Sequence, residues 1–308
     1  MNDTDIEKKV RSNPTLLLDY AYSTSVYGYE AEDDLFYEIL RLHNLLTPKV
    51  LKTCGDLIER AFSSGRAYHF VKTLFEYELL EKVFPGIYAL IRVDGGHYHN
   101  ETVYTHVMGA LRALDRVKLP WYVKLAALYH DVGKCQWEIS DEGKRRFTKH
   151  ATVGGPIAEK DLKRLGIPQD IIEIVKTLVN LHMTQVDGPH SIRKLARALD
   201  EKNIPHKYFF WVRYADNKGS AVYKTDFRYY WRLYLKFKRT LYVKKEPSVT
   251  DLCVNGHDLM KEFHKKPGKW LGALLKYLFI GVQERGYKNE RGYLITEAKK
   301  FMEWYSND

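Results

Sequence analysis

Six residues in the middle of the chain have side chains suited to holding metal ions: His106, His130, Asp131, His150, His182 and Asp216. His130 and Asp131 are adjacent, in Ala127-Leu128-Tyr129-His130-Asp131-Val132-Gly133-Lys134, at the end of an apolar helical run. A buried helix ending in His-Asp leaves two polar groups whose neutralisation costs several kcal/mol unless they are paired or bound to a metal. His106, His130, Asp131 and Asp216 together make a mixed nitrogen and oxygen donor set. Such a set suits Mn, Fe, Ni, Co or Mg better than a thiolate-bound structural zinc. The chemistry it would support is attack of a metal-activated water on a phosphoester. A plainer account is a helix C-terminus whose dipole favours His130, with Asp131 as a surface acid.

The neighbouring residues add to the first account. Lys134 stands four residues after His130, on the same helical face if the turn persists, where it would meet a substrate phosphate. Gly133 lets the chain leave the helix without a Cβ penalty. His150 and His182 each read singly as solvent-side or capped histidines, but together they suit a second metal or contacts to substrate phosphate. Asp131, Lys134, His150 and His182 are therefore the catalytic candidates, with Asp131 a possible ligand and proton shuttle at once. His97 is expected in solvent, and His99 is left open between solvent and the site.

The elements that must position these groups read as helices almost throughout. Leu35, Ile39, Leu42, Leu45 and Leu46 recur at helical spacing, and Thr47-Pro48 starts a further amphipathic stretch. Val71 to Leu80 leads to a stop at Pro85-Gly86, and Asp94-Gly95-Gly96 breaks the pattern. Glu101 to Val117 reads as a helix, and Pro120 opens the next one, which runs to Gly133. Gln136 to Lys149 reads as a loop with room for a short hairpin. Helices are then expected over Pro156–Leu165, Pro168–Met183, Ser191–Asp200 and Lys207–Asn217. Strand-period alternation is scarce, so the fold class is all-α.

With 45% hydrophobic residues over 308 positions, the chain is of ordinary globular composition. It has no apolar run of membrane-spanning length, and the polar start Met1 to Lys9 is unlike a secretory signal. Cys54, Cys135 and Cys253 are too scattered for a disulfide framework or a zinc knuckle, which fits a reducing cytoplasm. The formal net charge of +10 favours a polyanionic partner, RNA above all.

His106, then His130-Asp131, then Asp216, with Gly133-Lys134 after the pair, resembles the HD superfamily of metal-dependent phosphohydrolases. The likeness extends further. Pro14 to Gly28 is similar to the helix that follows the catalytic head in bacterial tRNA CCA-adding enzymes, and Leu74 to Pro85 to the end of their neck. Val254 to Met260, Lys266 to Gly272 and Asn289-Glu290 resemble their tail region, which serves tRNA binding. The resemblance implies an HD core flanked by an N-terminal helical neck and a C-terminal helical tail, over residues 91–220, 1–90 and 221–308 respectively. It implies phosphatase and 2′,3′-cyclic phosphodiesterase chemistry. The paired Asp-x-Asp of a nucleotidyltransferase head has no counterpart, and Gly219-Ser220 is the sole Gly-Ser pair, so CCA addition is not expected.

Between Tyr223 and Lys245, basic residues interleave with aromatics. Arg228, Arg232, Lys236 and Arg239 form one helical stripe and are expected on an RNA backbone, with Lys266 and Lys269 of the tail. Phe227, Tyr230, Trp231, Tyr234 and Phe237 occupy a neighbouring face and are expected mainly as core, with one or two rings available to stack on bases. The reading is a divalent-metal phosphohydrolase of RNA or tRNA 3′ ends. Its rivals are an HD hydrolase of free or cyclic nucleotides, a non-catalytic tRNA-binding protein, and an accessory subunit of a separate nucleotidyltransferase.

Overall fold

A few helix starts in this chain carry short polar caps. Thr47 accepts a hydrogen bond from the amide of Val50 ahead of Pro48, and Thr102 accepts one from Thr105. The computed structural model describes residues 3–28, 33–94, 102–136, 138–139, 145–147, 149–220, 226–242 and 248–305. The fold is all-α. In the first part stand α1 (Asp3–Ser12), α2 (Leu16–Tyr27), α3 (Asp33–Leu42), α4 (Pro48–Leu51), α5 (Gly55–Ser63), α6 (Ala67–Glu76), α7 (Leu80–Val83) and α8 (Pro85–Tyr88). Next come α9 (Val103–Leu114), α10 (Trp121–Tyr129), α11 (His150–Arg164), α12 (Gln169–Leu181), α13 (Pro189–Asp200), α14 (His206–Gly219) and α15 (Phe227–Tyr242). The hairpin expected in the loop is present as β1 (Glu138–Ile139), paired antiparallel with β2 (Arg145–Arg146).

Two local expectations are corrected. The first concerns Pro156, expected to open a helix, which lies inside α11 because that helix already begins at His150. A proline there removes one backbone hydrogen bond, and the packing of α11 along α12 offsets the loss. The second concerns the Thr47-Pro48 start, whose helix is only one turn long, Pro48–Leu51.

The chain divides into two compact units, Met1–Leu241 and Tyr242–Asp308. In the first, one apolar core runs without a break from Ile6 through Leu74, Leu128 and Val179 to Phe237. No gap in that core separates the residues expected as neck from those around the histidines. α15, expected to begin a tail at residue 221, contributes Phe237 to it and lies in the first unit. The second unit packs α16 (Gly256–Phe263), α17 (Lys269–Glu284) and α18 (Arg291–Tyr305) around Leu259, Leu274, Leu278 and Leu294. Among the described residues no helix is long and apolar enough to cross a membrane.

Candidate metal centre

Apart from Lys124, α10 is built of apolar and aromatic residues and is enclosed by α5, α9, α12 and α14, and every residue from Val123 to Tyr129 is buried. It therefore delivers His130 and Asp131 to the interior, at 0% and 3% exposure, and Asp131 is not a surface acid. His106 comes from the first turns of α9 and Asp216 from α14. These two helices meet backbone to backbone: a Cβ on Gly219 would run into the carbonyl of His106 and the amide of Ala110. That approach sets His106 Nε2 3.3 Å from Asp216 Oδ1.

A second glycine performs the same service on the other side. The chain leaves α10 in a 3-10 turn, Val132–Cys135. A side chain at Gly133 would collide with the carbonyl of His150, so glycine lets α11 begin against this turn. α11 then places His150 beside His182, which ends α12, with their Nε2 atoms 3.3 Å apart.

Asp131 joins the two groups. Its Oδ2 lies 3.4 Å from Nε2 of both His106 and His130. Its Oδ1 lies 3.3 Å from His150 Nε2 and 3.6 Å from His182 Nε2. Asp216 Oδ1 lies 3.4 Å from His130 Nε2, which closes the first group. His106, His130 and Asp216 form one candidate ligand set, and Asp131, His150 and His182 form the other.

The tautomers suit cation binding. His130 Nδ1 donates to the carbonyl of Ala127 at 2.8 Å, His150 Nδ1 to Phe147 at 2.6 Å and His182 Nδ1 to Val179 at 2.6 Å. Each bond keeps the proton on Nδ1 and leaves a lone pair on Nε2, the atom that faces the cluster. With the imidazoles neutral, two carboxylates face one cation, Lys134. The nitrogen and oxygen donors, turned inward with excess negative charge, fit a divalent ion.

Without an ion the same charges act on one another. Burial alone would lower the imidazole of His130, but Asp131 and Asp216 outweigh it and push it up to about 10. Burial works to raise both carboxyls, yet each is held far below the ordinary range. For Asp131 the opposing groups are His130, His182 and Lys134, and for Asp216 they are His106 and His130. His150 goes the other way, lowered by burial in spite of Asp131.

Lys134 does not continue the face of α10, because that helix ends before it. It folds back instead, and its Nζ donates to Asp131 Oδ2 at 2.7 Å. Two supporting residues escaped notice in the sequence. Arg213, one turn before Asp216, donates to the carbonyls of His182 and Thr184 at 3.0 and 3.2 Å. It ties α14 to the end of α12, and its spacing from Asp216 was the available signal. Asp161, buried on α11, accepts from the Gly86 amide and from the Tyr129 hydroxyl. His97 and His99 lie outside the described residues.

None of the expected RNA contacts belongs to either candidate ligand set. Arg228, Arg232, Lys236 and Arg239 are all exposed on α15. Lys236 also donates to the carbonyl of Asp187. Tyr230 and Phe237 are core, as expected of that face, whereas Phe227 and Trp231 remain 39% and 50% exposed. In the second unit Lys266 and Lys269 are exposed. The polar residues around them serve the fold: Asn255 caps α16 with Asp258, and Asn289 bonds the amide of Cys253 and the carbonyl of Asp251.

Residues 103–209 match the HD domain, and residues 157–298 match the family described as tRNA nucleotidyltransferase domain 2, putative. The chain is 27% identical over 245 residues to the CC-adding tRNA nucleotidyltransferase of Thermus thermophilus, covering 77% of this chain and 55% of that protein. It is 29% identical over 156 residues to the multifunctional CCA protein of Legionella pneumophila, covering 49% and 38%. To the CCA-adding enzyme of Lactococcus lactis it is 33% identical over 69 residues, covering 21% and 17%. The chain thus spans about half the length, or less, of the curated relatives it matches. The likeness covers the HD, neck and tail regions and not the head.

Proposed function

We propose that this chain is a divalent-metal-dependent phosphohydrolase of RNA or tRNA ends, which opens a terminal 2′,3′-cyclic phosphate or removes a terminal 2′- or 3′-phosphate. The observation that carries the reading is the position of Asp131. One of its oxygens faces His106 and His130, and the other faces His150 and His182. His106, His130, Asp131 and Asp216 would hold one ion, and Asp131, His150 and His182 a second. A divalent ion bound there supplies a water of lowered pKa and Lewis-acid stabilisation of phosphoryl oxygens.

The protein groups supply the rest. The backbone carbonyls behind His130, His150 and His182 fix which nitrogen faces the reaction. Lys134, within reach of the same carboxylate, would balance charge growing on phosphoryl oxygens in the transition state. In hydrolysis the oxygen of water bonds to phosphorus, one ester P–O bond breaks and the leaving ribose oxygen takes up a proton. No oxidant or second substrate is required. RNA as the substrate class is supported by the matched tRNA nucleotidyltransferase domain and by the exposed cations of α15. CCA addition is not expected of these residues, since Gly219 of the sole Gly-Ser pair serves the approach of α14 to α9.

The test uses RNA oligomers ending in 2′,3′-cyclic phosphate or 3′-phosphate, and free and cyclic nucleotides beside them. Metal-stripped protein is supplied with Mn, Ni or Mg, and the Asp131→Ala protein is the control. Metal-dependent loss of the RNA terminal phosphate, absent in the variant, is the expected result. Turnover of nucleotides alone would move the substrate class. RNA binding without turnover under any metal would sink the hydrolase and leave a tRNA-binding or accessory role.

A further inference from the structure

The aromatic residues of α15 are divided between two tasks. Tyr230 and Phe237 are buried against the core, whereas Phe227 and Trp231, four residues apart, keep 39% and 50% of their surface in water. The exposed rings are ordered. The planes of Trp211 on α14 and Phe227 lie 27° apart with centroids at 5.1 Å, and those of Phe227 and Trp231 lie 23° apart at 6.5 Å. The three rings form a stepped stack beside a small cleft of about 40 Å³ between α14 and α15, lined also by Phe210 and Tyr230 with Lys207 beside them.

Packing alone does not account for this arrangement, because a ring kept half in water forgoes much of its burial free energy. Each of these two rings is followed directly by an exposed cation, Phe227 by Arg228 and Trp231 by Arg232, whereas the exposed Tyr229 is followed by Tyr230. Four residues of helix advance about 6 Å, so rings and guanidinium groups climb the helix together. Asp226 lies 3.7 Å from Arg228, but both partners are exposed and such a pair contributes little. Flat apolar faces beside a row of cations match a ligand with flat bases and a charged backbone. An apolar protein surface would match the rings but not the cations.

We propose that Trp231 and Phe227, backed by Trp211, are a stacking platform for unpaired bases of the bound RNA, with Arg228 and Arg232 on the adjoining phosphates. The proposal rests on the RNA reading above and adds to it where the single-stranded end lies.

The experiment compares one RNA hairpin, blunt or with a 3′ single-stranded overhang carrying 2-aminopurine, on wild type, Trp231→Leu, Trp231→Phe and Phe227→Leu. Circular dichroism melts check the fold of each variant, which the exposure of both rings should preserve. Wild type should bind the overhang more tightly than the blunt end and quench the 2-aminopurine. Trp231→Leu should bind the overhang roughly tenfold more weakly, leave the blunt hairpin unchanged and abolish quenching. Trp231→Phe, which keeps a π-face, should retain most of the preference.

Equal losses on both RNAs, or a leucine variant that binds like wild type, would overturn the platform. Self-association abolished by Trp231→Leu, with the overhang preference intact, would assign the rings to a second copy of the chain and overturn it too. If wild type binds neither hairpin, the RNA reading itself fails and the platform with it. If wild type processes RNA ends but ignores ring substitutions, only the platform fails.

Discussion

His106 and His130 come from different helices and set their Nε2 atoms 3.0 Å apart. His130 has its Nδ1 proton committed to Ala127, so its Nε2 is the atom that either carries the second proton or, once neutral, binds a cation. Two nitrogens hold that distance only around a shared proton or beside a shared cation. With Asp131 Oδ2 and Asp216 Oδ1 within 3.4 Å of both, the four atoms form a socket for one positive charge.

The first prediction concerns ion count. Metal-stripped wild type should take up two divalent ions per chain in titration calorimetry and elemental analysis. His150→Ala and His182→Ala should each keep one, as should Asp216→Ala, while Asp131→Ala should keep neither tightly. Affinity should fall with falling pH, because the histidine ligands must be neutral to bind. A single ion in wild type, unchanged in His150→Ala, would show that the second group of residues is not a metal site.

Gly133→Ala tests whether the close approach of the 3-10 turn to α11 builds the site. The added Cβ meets the backbone of His150, so something in the chain must shift. The expected cost is about 1–3 kcal/mol of stability, together with loss of the ion at His150 and His182. Gly188→Ala, where nothing lies within 4 Å of the new Cβ, is the control. Similar melting temperatures and ion counts for the two variants would refute this role for Gly133.

The basic stripe of α15 predicts a salt effect. Arg232→Ala and Arg239→Ala together should weaken single-stranded RNA binding uniformly across sequences. They should also reduce the slope of log K against log salt by about 0.7 for each phosphate that the variant no longer neutralises. Lys236, whose ammonium already bonds the carbonyl of Asp187, should matter less. An unchanged slope in the double variant would remove α15 from the RNA interface.

Asp115 predicts a dependence of stability on pH that is independent of metal. It is buried, accepts from the amide of Tyr68 at the start of α6, and lies near Lys124, whose ammonium bonds its backbone carbonyl. Burial raises its pKa from 3.8 to about 6, against the pull of Tyr68 and Lys124. A raised folded pKa contributes stability that is complete below about pH 4 and is lost as pH rises through about 6, by at most roughly 3 kcal/mol. The melting temperature of wild type should therefore fall relative to that of Asp115→Asn between pH 4 and 7. Parallel curves would show that the carboxyl is not strained by burial.

The helical class, the helix carrying His130-Asp131 and the identity of the candidate metal ligands were all legible in the sequence. They rest on local rules: apolar spacing, cap residues, and the rarity of a His-Asp pair at the end of an apolar run. The same rules could not show that α11 begins at His150 with Pro156 inside it, because tertiary packing against α12 overrides the local signal. Nor could they assign Lys134 to Asp131, since that depended on α10 giving way to a 3-10 turn.

What only the tertiary structure decided is how the candidate ligands are grouped. Residues as distant in sequence as His106 and Asp216 meet because Gly219 lets α14 touch α9. Asp131 serves two groups of histidines because Gly133 admits α11 to its other side. Local sequence specifies which donors exist and which helices carry them. The side to which each carboxylate oxygen turns is set by helix against helix, at distances close enough that one added methyl group would change it.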